Sequence, residues 1–347
     1  MHPPAHLPRC LLTLEREIET SVSSHPNRRH SRSIIAHEGP ETTLLDQNRS
    51  GTPSIYGEGR VWPFVLVGTH PYPSALRQIV NEDGSDGTVR VPAANLNTLG
   101  VTLDFTAGGQ APAVTPWAQR YGGTFPLAVL PNRTHSSIID PQGGDVALET
   151  PAQKQQFQDL LMRALSCNTQ QEYEAIAKDW YQISEQTVDS ADPLRHQYMQ
   201  INECVDDDEG NAVNDYFLEF SGPSNDPSDV STIYFHRSVL EDVHTNTLAA
   251  TMRCLYADRS HLVDGFYGKI PPGYDHILSM SLSANPPGTN VRYFSSTQVG
   301  ARGEFKLHDE AVVQNRWLKR NTTHYMHIII PRSPLSQVLT VSSYPVG

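Results

Sequence analysis

Short apolar runs separated by polar turns mark the first half of the chain. VWPFVLVGT, from Val61, is apolar and β-branched and ends at a glycine, and FPLAV, from Phe125, is a second apolar run that stops before Pro131. Both runs are typical of buried strands in a parallel sheet. Between them, a glycine-containing turn leads into GTVRV, whose alternating valines predict a further strand near residue 88.

Apolar residues adopt a helical spacing over residues 151–185. Two stripes result, one formed by Phe157, Leu160, Leu161, Ala164 and Leu165 and the other by Tyr173, Ile176, Ala177 and Trp180. Pro151 is suited to the first turn of a helix. The pattern therefore predicts two helices whose apolar faces pack on the sheet as core.

From Gln197 onward the chain consists of short strand-like runs separated by Gly, Pro, Asn and Asp. Seven such runs predict a C-terminal β-sandwich: QYMQINECV, NDYFLEFSG, STIYFHRSVL, MRCLYA, HILSMSL, VRYFSS and THYMHIII. Its first hairpin is expected to turn at residues 208–211. The polar segment SEQTVDSADPLRH, near residue 190, has the composition of a domain boundary.

The N-terminal residues have a different composition from the rest of the chain. Residues 1–58 are rich in His, Arg, Pro and Ser, which indicates either a disordered extension or a misassigned start. We therefore predict three parts: an extension at 1–58, a sheet-and-helix domain at 59–190 and a β-sandwich at 191–347.

Charge and composition exclude several partners. The 347 residues contain 26 Lys and Arg against 38 Asp and Glu, a formal net charge of -12, which argues against electrostatic capture of nucleic acid or of an anionic membrane. No apolar run reaches the roughly 18 residues of a membrane span, and no signal peptide is apparent. The four cysteines are widely spaced and indicate neither a zinc knuckle nor a disulfide framework. Together these features predict a cytoplasmic protein without a transmembrane segment.

Candidate chemistry lies in two loops that follow apolar runs. In NEDGSDGTVRVPAANLN, from Asn81, the glycines permit a tight turn that holds Asp86 rigidly. In NRTHSSIID, His135 follows the FPLAV run. A carboxylate beside an imidazole orients the ring for proton transfer, so we expect Asp86 and His135 to act as an acid and base pair. Two alternatives remain: Asp83 in place of Asp86, and His135 as an ordinary loop histidine.

GSDGTVRVPAANL resembles the acid loop of the α/β-hydrolase superfamily, and NRTHSSI resembles its histidine loop, especially in the lipase and phospholipase-like branches. The resemblance covers roughly residues 60–145. It implies a partial α/β-hydrolase-like parallel sheet with flanking helices, a serine ester hydrolase with an acyl ester or lipid substrate, and no cofactor or metal. The implied catalytic residues are Asp86 and His135, in the family order Ser, Asp, His.

The nucleophile of that family has no counterpart in this sequence. G-x-S-x-G is absent from the 347 residues. Ser50 and Ser54 are the nearest candidates, yet both lie in polar sequence without the preceding apolar strand that a nucleophile elbow requires. The chain thus resembles the second half of a hydrolase, and a complementing N-terminal hydrolase segment is expected to supply the serine. The alternative is a non-catalytic binding or interaction protein that retains a hydrolase half-fold.

Three further features each have more than one interpretation. Residues 100–121, between acid and base, form either a cap or a surface loop. The acidic cluster at residues 206–209, with Asp215, is a calcium site or a solvated hairpin tip; it lacks EF-hand spacing. His324 and His327 lie on opposite faces of a predicted strand, so they are not expected to bind one metal together.

Overall fold

The computed structural model describes residues 56–72, 83–107, 111–117, 123–140, 149–189, 191–223, 229–247, 249–274, 276–286, 288, 291–294, 303–308 and 318–334. Two strands and four helices form its first part. These are β1 (Val65–Gly68), α1 (Val91–Ala94), β4 (Leu127–Leu130), α2 (His135–Ile139) and α3 (Pro151–Leu165), with α4 (Gln170–Gln186) after them. Most of the predicted extension 1–58, with Ser50 and Ser54, lies outside the described residues.

β1 and β4 pair in parallel, with Val67 opposite Val129. These are the two strands expected from the apolar runs at Val61 and Phe125. The predicted third strand is absent at residue 88: residues 83–90 form a turn closed by a bridge between Ser85 and Arg90, and α1 begins at Val91. Pro92 explains the difference, because it lacks an N–H for a sheet ladder and suits the first turn of a helix.

α3 and α4 cover this pair of strands, as the helical spacing predicted. Thr150 and Thr169 cap the two helices with reciprocal side-chain hydrogen bonds, and Pro151 opens α3. Trp180 and Tyr173 are fully buried, and Trp180 shares a core with Ala128 and Phe157. One position was predicted wrongly, since Leu165 in the last turn of α3 is 73% exposed.

The remaining strands form a six-stranded sheet, a three-stranded sheet and a two-stranded ribbon. They are β2 (Leu99–Asp104), β3 (Ala113–Pro116), β5 (Tyr198–Asp207), β6 (Tyr216–Ser221), β7 (Leu240–Thr245), β8 (Met252–Asp258), β9 (Ile277–Ala284), β10 (Val291–Tyr293), β11 (Gly303–His308), β12 (Thr322–Ile330) and β13 (Arg332–Pro334). The sheet orders are β3-β2-β12-β5-β8-β7, β11-β9-β6 and β10-β13.

The six-stranded sheet is mixed, with both parallel and antiparallel pairs. β12 pairs in parallel with both β2 and β5, while the outer pairs are antiparallel. β2 and β3 come from the segment 100–121 predicted as a cap or a surface loop, so part of the first predicted domain shares a sheet with the second. One apolar core joins this sheet to the three-stranded sheet through residues such as Leu103, Ile328 and Met280. The β-sandwich is thus not confirmed.

Two predicted features of the C-terminal half changed in form. STIYFHRSVL was expected as a strand, but it forms α5 (Val230–Tyr234) and a π-helical turn (Phe235–Val239) before β7. The turn at residues 208–211 is present, with the Gly210 N–H donating to the Asp207 carbonyl at 2.9 Å. It reverses the chain, with an antiparallel bridge between Asp206 and Ala212 and the Val213 N–H donating to the Val205 carbonyl at 2.9 Å, although β6 itself pairs with β9 rather than with β5.

The acidic residues of this turn are neutralised within the protein. Asp207 accepts hydrogen bonds from the backbone N–H groups of Glu209 and Asn211, and Arg332 forms ion pairs with Asp207 and Glu209 at 3.3 and 2.8 Å. Asp208 and Glu209 are exposed whereas Asp206 and Asp207 are buried, so only the outer half of the cluster has the solvent exposure of a hairpin tip.

Two further properties of the described residues concern membrane-spanning helices and cysteines. None of their helices combines the length and the apolar character that crossing a membrane demands. Cys167 carries a thiol that is not in a disulfide.

Candidate active site

Asp86 and His135 lie in contact. His135 Nδ1 is 3.0 Å from Asp86 Oδ2, and the backbone N–H of His135 donates to the carbonyl oxygen of Asp86 at 2.8 Å. The Asp86 side chain is 4% exposed and that of His135 is 23% exposed. The carboxylate is therefore shielded from water, while the imidazole keeps an accessible edge.

The turn around Asp86 holds its carboxylate in one orientation. Asp86 Oδ1 accepts the backbone N–H groups of Thr88 and Val89 at 3.1 and 2.8 Å, which leaves Oδ2 for the histidine. Gly84 and Gly87 have φ of 68° and 89°, angles that side chains with a β-carbon resist. The glycines expected to permit this turn therefore do so.

Contacts from the six-stranded sheet fix the same turn from outside. The Tyr256 hydroxyl donates to the Asp83 carbonyl at 2.9 Å. The Arg90 guanidinium lies 4.1 Å from the centre of the Tyr256 ring and pairs with Asp242 at 3.0 Å. Asp83 thus contributes a backbone oxygen to the sheet, and the carboxylate that meets His135 belongs to Asp86.

His135 is the first residue of α2, so it occupies a helix start rather than a loop. Thr134 caps this helix: its side chain accepts the Ser137 N–H at 3.2 Å, and Ser137 Oγ accepts the Thr134 N–H at 3.0 Å. The paired bonds satisfy backbone donors that a helix start otherwise leaves open. They hold the backbone of His135 where its side chain faces Asp86.

A buried ion pair that the sequence analysis did not identify supports the histidine segment. Arg133 and Glu149 are both 2% exposed at the side chain, and Arg133 Nε lies 2.6 Å from Glu149 Oε1. Arg133 also donates to the Ser137 carbonyl at 2.5 Å and stacks 3.6 Å above the Phe157 ring. Burial lowers the pKa of Arg133 and raises that of Glu149, and each charge opposes the shift of the other. Nothing in the local sequence distinguishes Arg133 from a surface arginine, because its partner is 16 residues away.

The electrostatics at the pair favour a charged imidazole. The hydrogen bond to Asp86 raises the pKa of His135, burial lowers it, and the charge of Asp86 raises it further, with a net upward shift. Hydrogen bonding through Nδ1 leaves Nε2 as the nitrogen that can exchange a proton with a nucleophile. The arrangement can therefore orient an imidazole and stabilise its cation.

Other candidate groups lie elsewhere. His324 Nδ1 is 3.2 Å from the Gln200 carbonyl, whereas His327 Nε2 is 3.0 Å from Asp206 Oδ2, so the two histidines have separate partners. A cavity of 530 Å³ lies between β4, α4 and the start of β12. Neither Asp86 nor His135 is among the described residues that line it.

Comparison with known proteins gives a structural likeness. No protein-family model matches the sequence, and the comparison with curated proteins found no match. The chain is similar in fold to a phospholipase. The solved structure of phospholipase PlaB from Legionella pneumophila matches with a TM-score of 0.63 and 20% sequence identity, over 83% of this chain and 60% of that one. The structure of PlaB in complex with thio-NAD matches with the same TM-score and identity, over 83% and 61%. This chain thus spans about three fifths of PlaB, and at this identity the likeness concerns the fold.

Proposed function

We propose that this protein is a serine ester hydrolase of the lipase, phospholipase or esterase type, with Asp86 as the acid and His135 as the base. The observation that carries the proposal is the 3.0 Å contact between His135 Nδ1 and the buried Asp86 carboxylate. The likeness in fold to a phospholipase supports an acyl ester of lipid type as the substrate.

The reaction follows from the roles of these two side chains. Asp86 accepts a hydrogen bond from the Nδ1–H of His135 and so keeps Nε2 unprotonated and able to take a proton from a serine hydroxyl. The serine oxygen then bonds to the ester carbonyl carbon, and the proton passes from Nε2 to the departing alcohol. Water attacks the resulting acyl-serine by the same route, which releases the acid and returns the proton to serine. Asp86 stabilises the imidazolium at each transfer.

The serine is proposed to come from a complementing N-terminal hydrolase segment. No G-x-S-x-G occurs in the 347 residues, whereas acid and base are both present and in contact. β1 and β4 form a parallel sheet of two strands, to which further parallel strands from such a segment would add.

Reconstitution tests the proposal. The full chain is produced alone and preceded by a segment that carries a G-x-S-x-G elbow encoded upstream of Met1, and both are assayed with a p-nitrophenyl acyl ester, phospholipid vesicles and a fluorophosphonate label. We expect labelling and turnover from the extended protein, and a loss of about 10³-fold or more in kcat on His135→Gln. His244→Gln, which removes an exposed histidine on β7, is the matched control and should leave the rate unchanged.

Two results would count against the proposal. If the extended protein folds but neither turns over esters nor reacts with the label, the non-catalytic binding protein is the better explanation. If His135→Gln retains the wild-type rate, a hydrolase with a different base is present.

A further inference from the structure

A second cluster of histidine and carboxylate side chains lies at the end of the six-stranded sheet. His196, Asp258 and His261 place one potential ligand atom each within 4.8 Å of one another. His196 Nδ1 is 2.6 Å and His261 Nδ1 is 3.2 Å from Asp258 Oδ2. The Asp258 side chain is 1% exposed and that of His196 is 5% exposed, so the cluster extends into the interior.

The backbone that carries the three side chains is rigid. Asp258 is the last residue of β8 and pairs with Tyr198 of β5, two residues after His196. The carbonyl oxygen of Gln197 accepts the N–H groups of Arg259 and Ser260, while the Gln197 N–H donates to Ser260 Oγ at 2.9 Å. A site on strand ends held in this way is preorganised, because its ligands need only small side-chain movements.

The geometry points to a site for a divalent transition-metal ion of the zinc type, bound by His196, Asp258 and His261. Two imidazoles and one carboxylate are a donor set that such ions accept, with bonds of about 2.0–2.2 Å and an open position for water. Ligands at that bond length lie roughly 3.3–3.6 Å apart around a tetrahedral ion. The distance of 2.6 Å between His196 Nδ1 and Asp258 Oδ2 therefore has to increase by under about 1 Å when the ion binds.

Neighbouring groups complete the requirements of such a site. The Ser238 carbonyl oxygen is 2.8 Å from His261 Nδ1, the nitrogen that also faces Asp258, so an ion would bind either at Nδ1 in place of the Ser238 contact or at Nε2 with the Ser238 contact kept and orienting the ring. His261 is 37% exposed at the side chain and gives a path of entry. Asp83 and Glu241 are exposed nearby, and partial desolvation of the Glu241 carboxyl, followed by the charges of Asp258 and Asp83, raises the pKa of Glu241. This crowding of carboxylates attracts a cation.

The site lies next to the turn that holds Asp86. Asp83 belongs to that turn and receives the Tyr256 hydroxyl, and Gly84 packs against the stacked rings of Tyr198 and Tyr256. An ion at Asp258 would link the residue before the start of β5, the end of β8 and the π-helical turn His261–Phe266. The metal is therefore expected to stabilise the fold at this corner, independently of ester hydrolysis.

Zinc binding to the full chain tests the site. After metals are removed with a chelator, Zn²⁺ is titrated in competition with a chromophoric chelator, and unfolding temperature is followed with and without Zn²⁺. We expect tight binding by the wild type, at least about tenfold weaker binding by His261→Gln, and a zinc-dependent rise in unfolding temperature that this variant lacks. His244→Gln is again the control, because the chain has 15 histidines and exposed ones bind zinc weakly.

A second variant guards against loss of folding in the first. Asp83→Asn with Glu241→Gln changes only exposed side chains near the site and should weaken zinc binding several-fold by removing two negative charges. Equal zinc affinity in the wild type and in folded His261→Gln would overturn the proposal, and so would a wild type that binds no zinc. In either case the three side chains form a hydrogen-bonded network only.

Discussion

His135 and Asp86 are joined twice, once through their backbones at 2.8 Å and once through their side chains at 3.0 Å. The backbone bond fixes where the two residues meet, and the side-chain bond fixes how the imidazole faces. A variant that removes only the carboxylate charge can therefore test the second bond while the first remains.

Asp86→Asn should lower the pKa of His135. The hydrogen bond and charge of Asp86 raise that pKa above its usual 6.5, while burial opposes them, so the variant should titrate at or below 6.5. Because the folded-state pKa is raised, the stability that this pairing contributes is fully present below pH about 6.5 and is lost as pH rises through the folded pKa. NMR titration of the imidazole checks the shift. Asp83→Asn is the control, and an equal change in both variants would exclude Asp86 as the specific partner.

Arg133→Met should destabilise the protein by about 3–5 kcal/mol, because it leaves the Glu149 carboxylate buried without its partner. Arg163→Met breaks an ion pair with Asp179 whose side chains are 43% and 47% exposed, and it should cost at most about 1 kcal/mol. Urea unfolding of the full-length variants compares the two. Similar losses would mean that the buried pair does not support the histidine segment as described.

Gly84→Ala should cost more than Gly210→Ala, although both residues have positive φ, 68° and 76°. A β-carbon at Gly84 would lie 2.1 Å from the Tyr198 ring, whereas one at Gly210 meets nothing within 4 Å. The shared strain is about 1–2 kcal/mol, and the clash at Gly84 adds about 1–3 kcal/mol. Unfolding free energies measure the difference. Movement of the turn should also weaken the hydrogen bond between Asp86 and His135. The pKa of His135 should therefore fall in Gly84→Ala and stay unchanged in Gly210→Ala.

Glu203→Gln should stabilise the protein above neutral pH. Burial raises the pKa of Glu203 from 4.5 to about 8, so the folded state binds a proton that the unfolded state releases, and stability falls as pH rises from about 4.5 to 8. Glutamine cannot ionise, so the stability of the variant should not fall with pH in this way. Its free energy of unfolding at pH 7 should exceed that of the wild type by on the order of 3 kcal/mol. Urea unfolding across this pH range checks it. Exposed Glu58→Gln should show the wild-type slope, and an unchanged slope in Glu203→Gln would contradict the shift.

Local sequence was sufficient to anticipate the residues of the candidate pair and the two long helices. Asp86 lies between two glycines, Gly84 and Gly87, that dictate a turn, and His135 follows an apolar strand, so each could be placed from its own neighbours. Where a single residue overrode a pattern, the prediction failed: Pro92 turned an expected strand into the start of α1. The catalytic roles of Asp86 and His135 stay predictions.

Pairings between distant segments could not be anticipated in the same way. The tertiary fold brings Arg133 to Glu149 and Arg90 to Asp242. Neither the spacing nor the composition of the sequence indicates these pairs. The same holds for the pairing of β2 with β12, which lies far along the chain. The domain boundaries 59–190 and 191–347 likewise stay a prediction. β2 and β3 lie within the first range but belong to a sheet whose other strands lie in the second.

The position of β12 has a consequence for how the protein folds during synthesis. Met326 of β12 pairs with Val101 on one side and Glu203 on the other, so the two strands that flank β12 are made long before it. Until residue 330 is available, β2 and β5 present unpaired edges to each other across a gap, and edges of this kind recruit other chains. Such distant pairings also slow folding. The Thr323 hydroxyl at the start of β12 donates a hydrogen bond to the Pro92 carbonyl. This bond attaches α1, and the Asp86 turn that precedes α1, to β12. Asp86, the acid of the candidate pair, therefore reaches its final position only after the ribosome has made β12. That strand begins more than 230 residues after Asp86 and ends at Ile330.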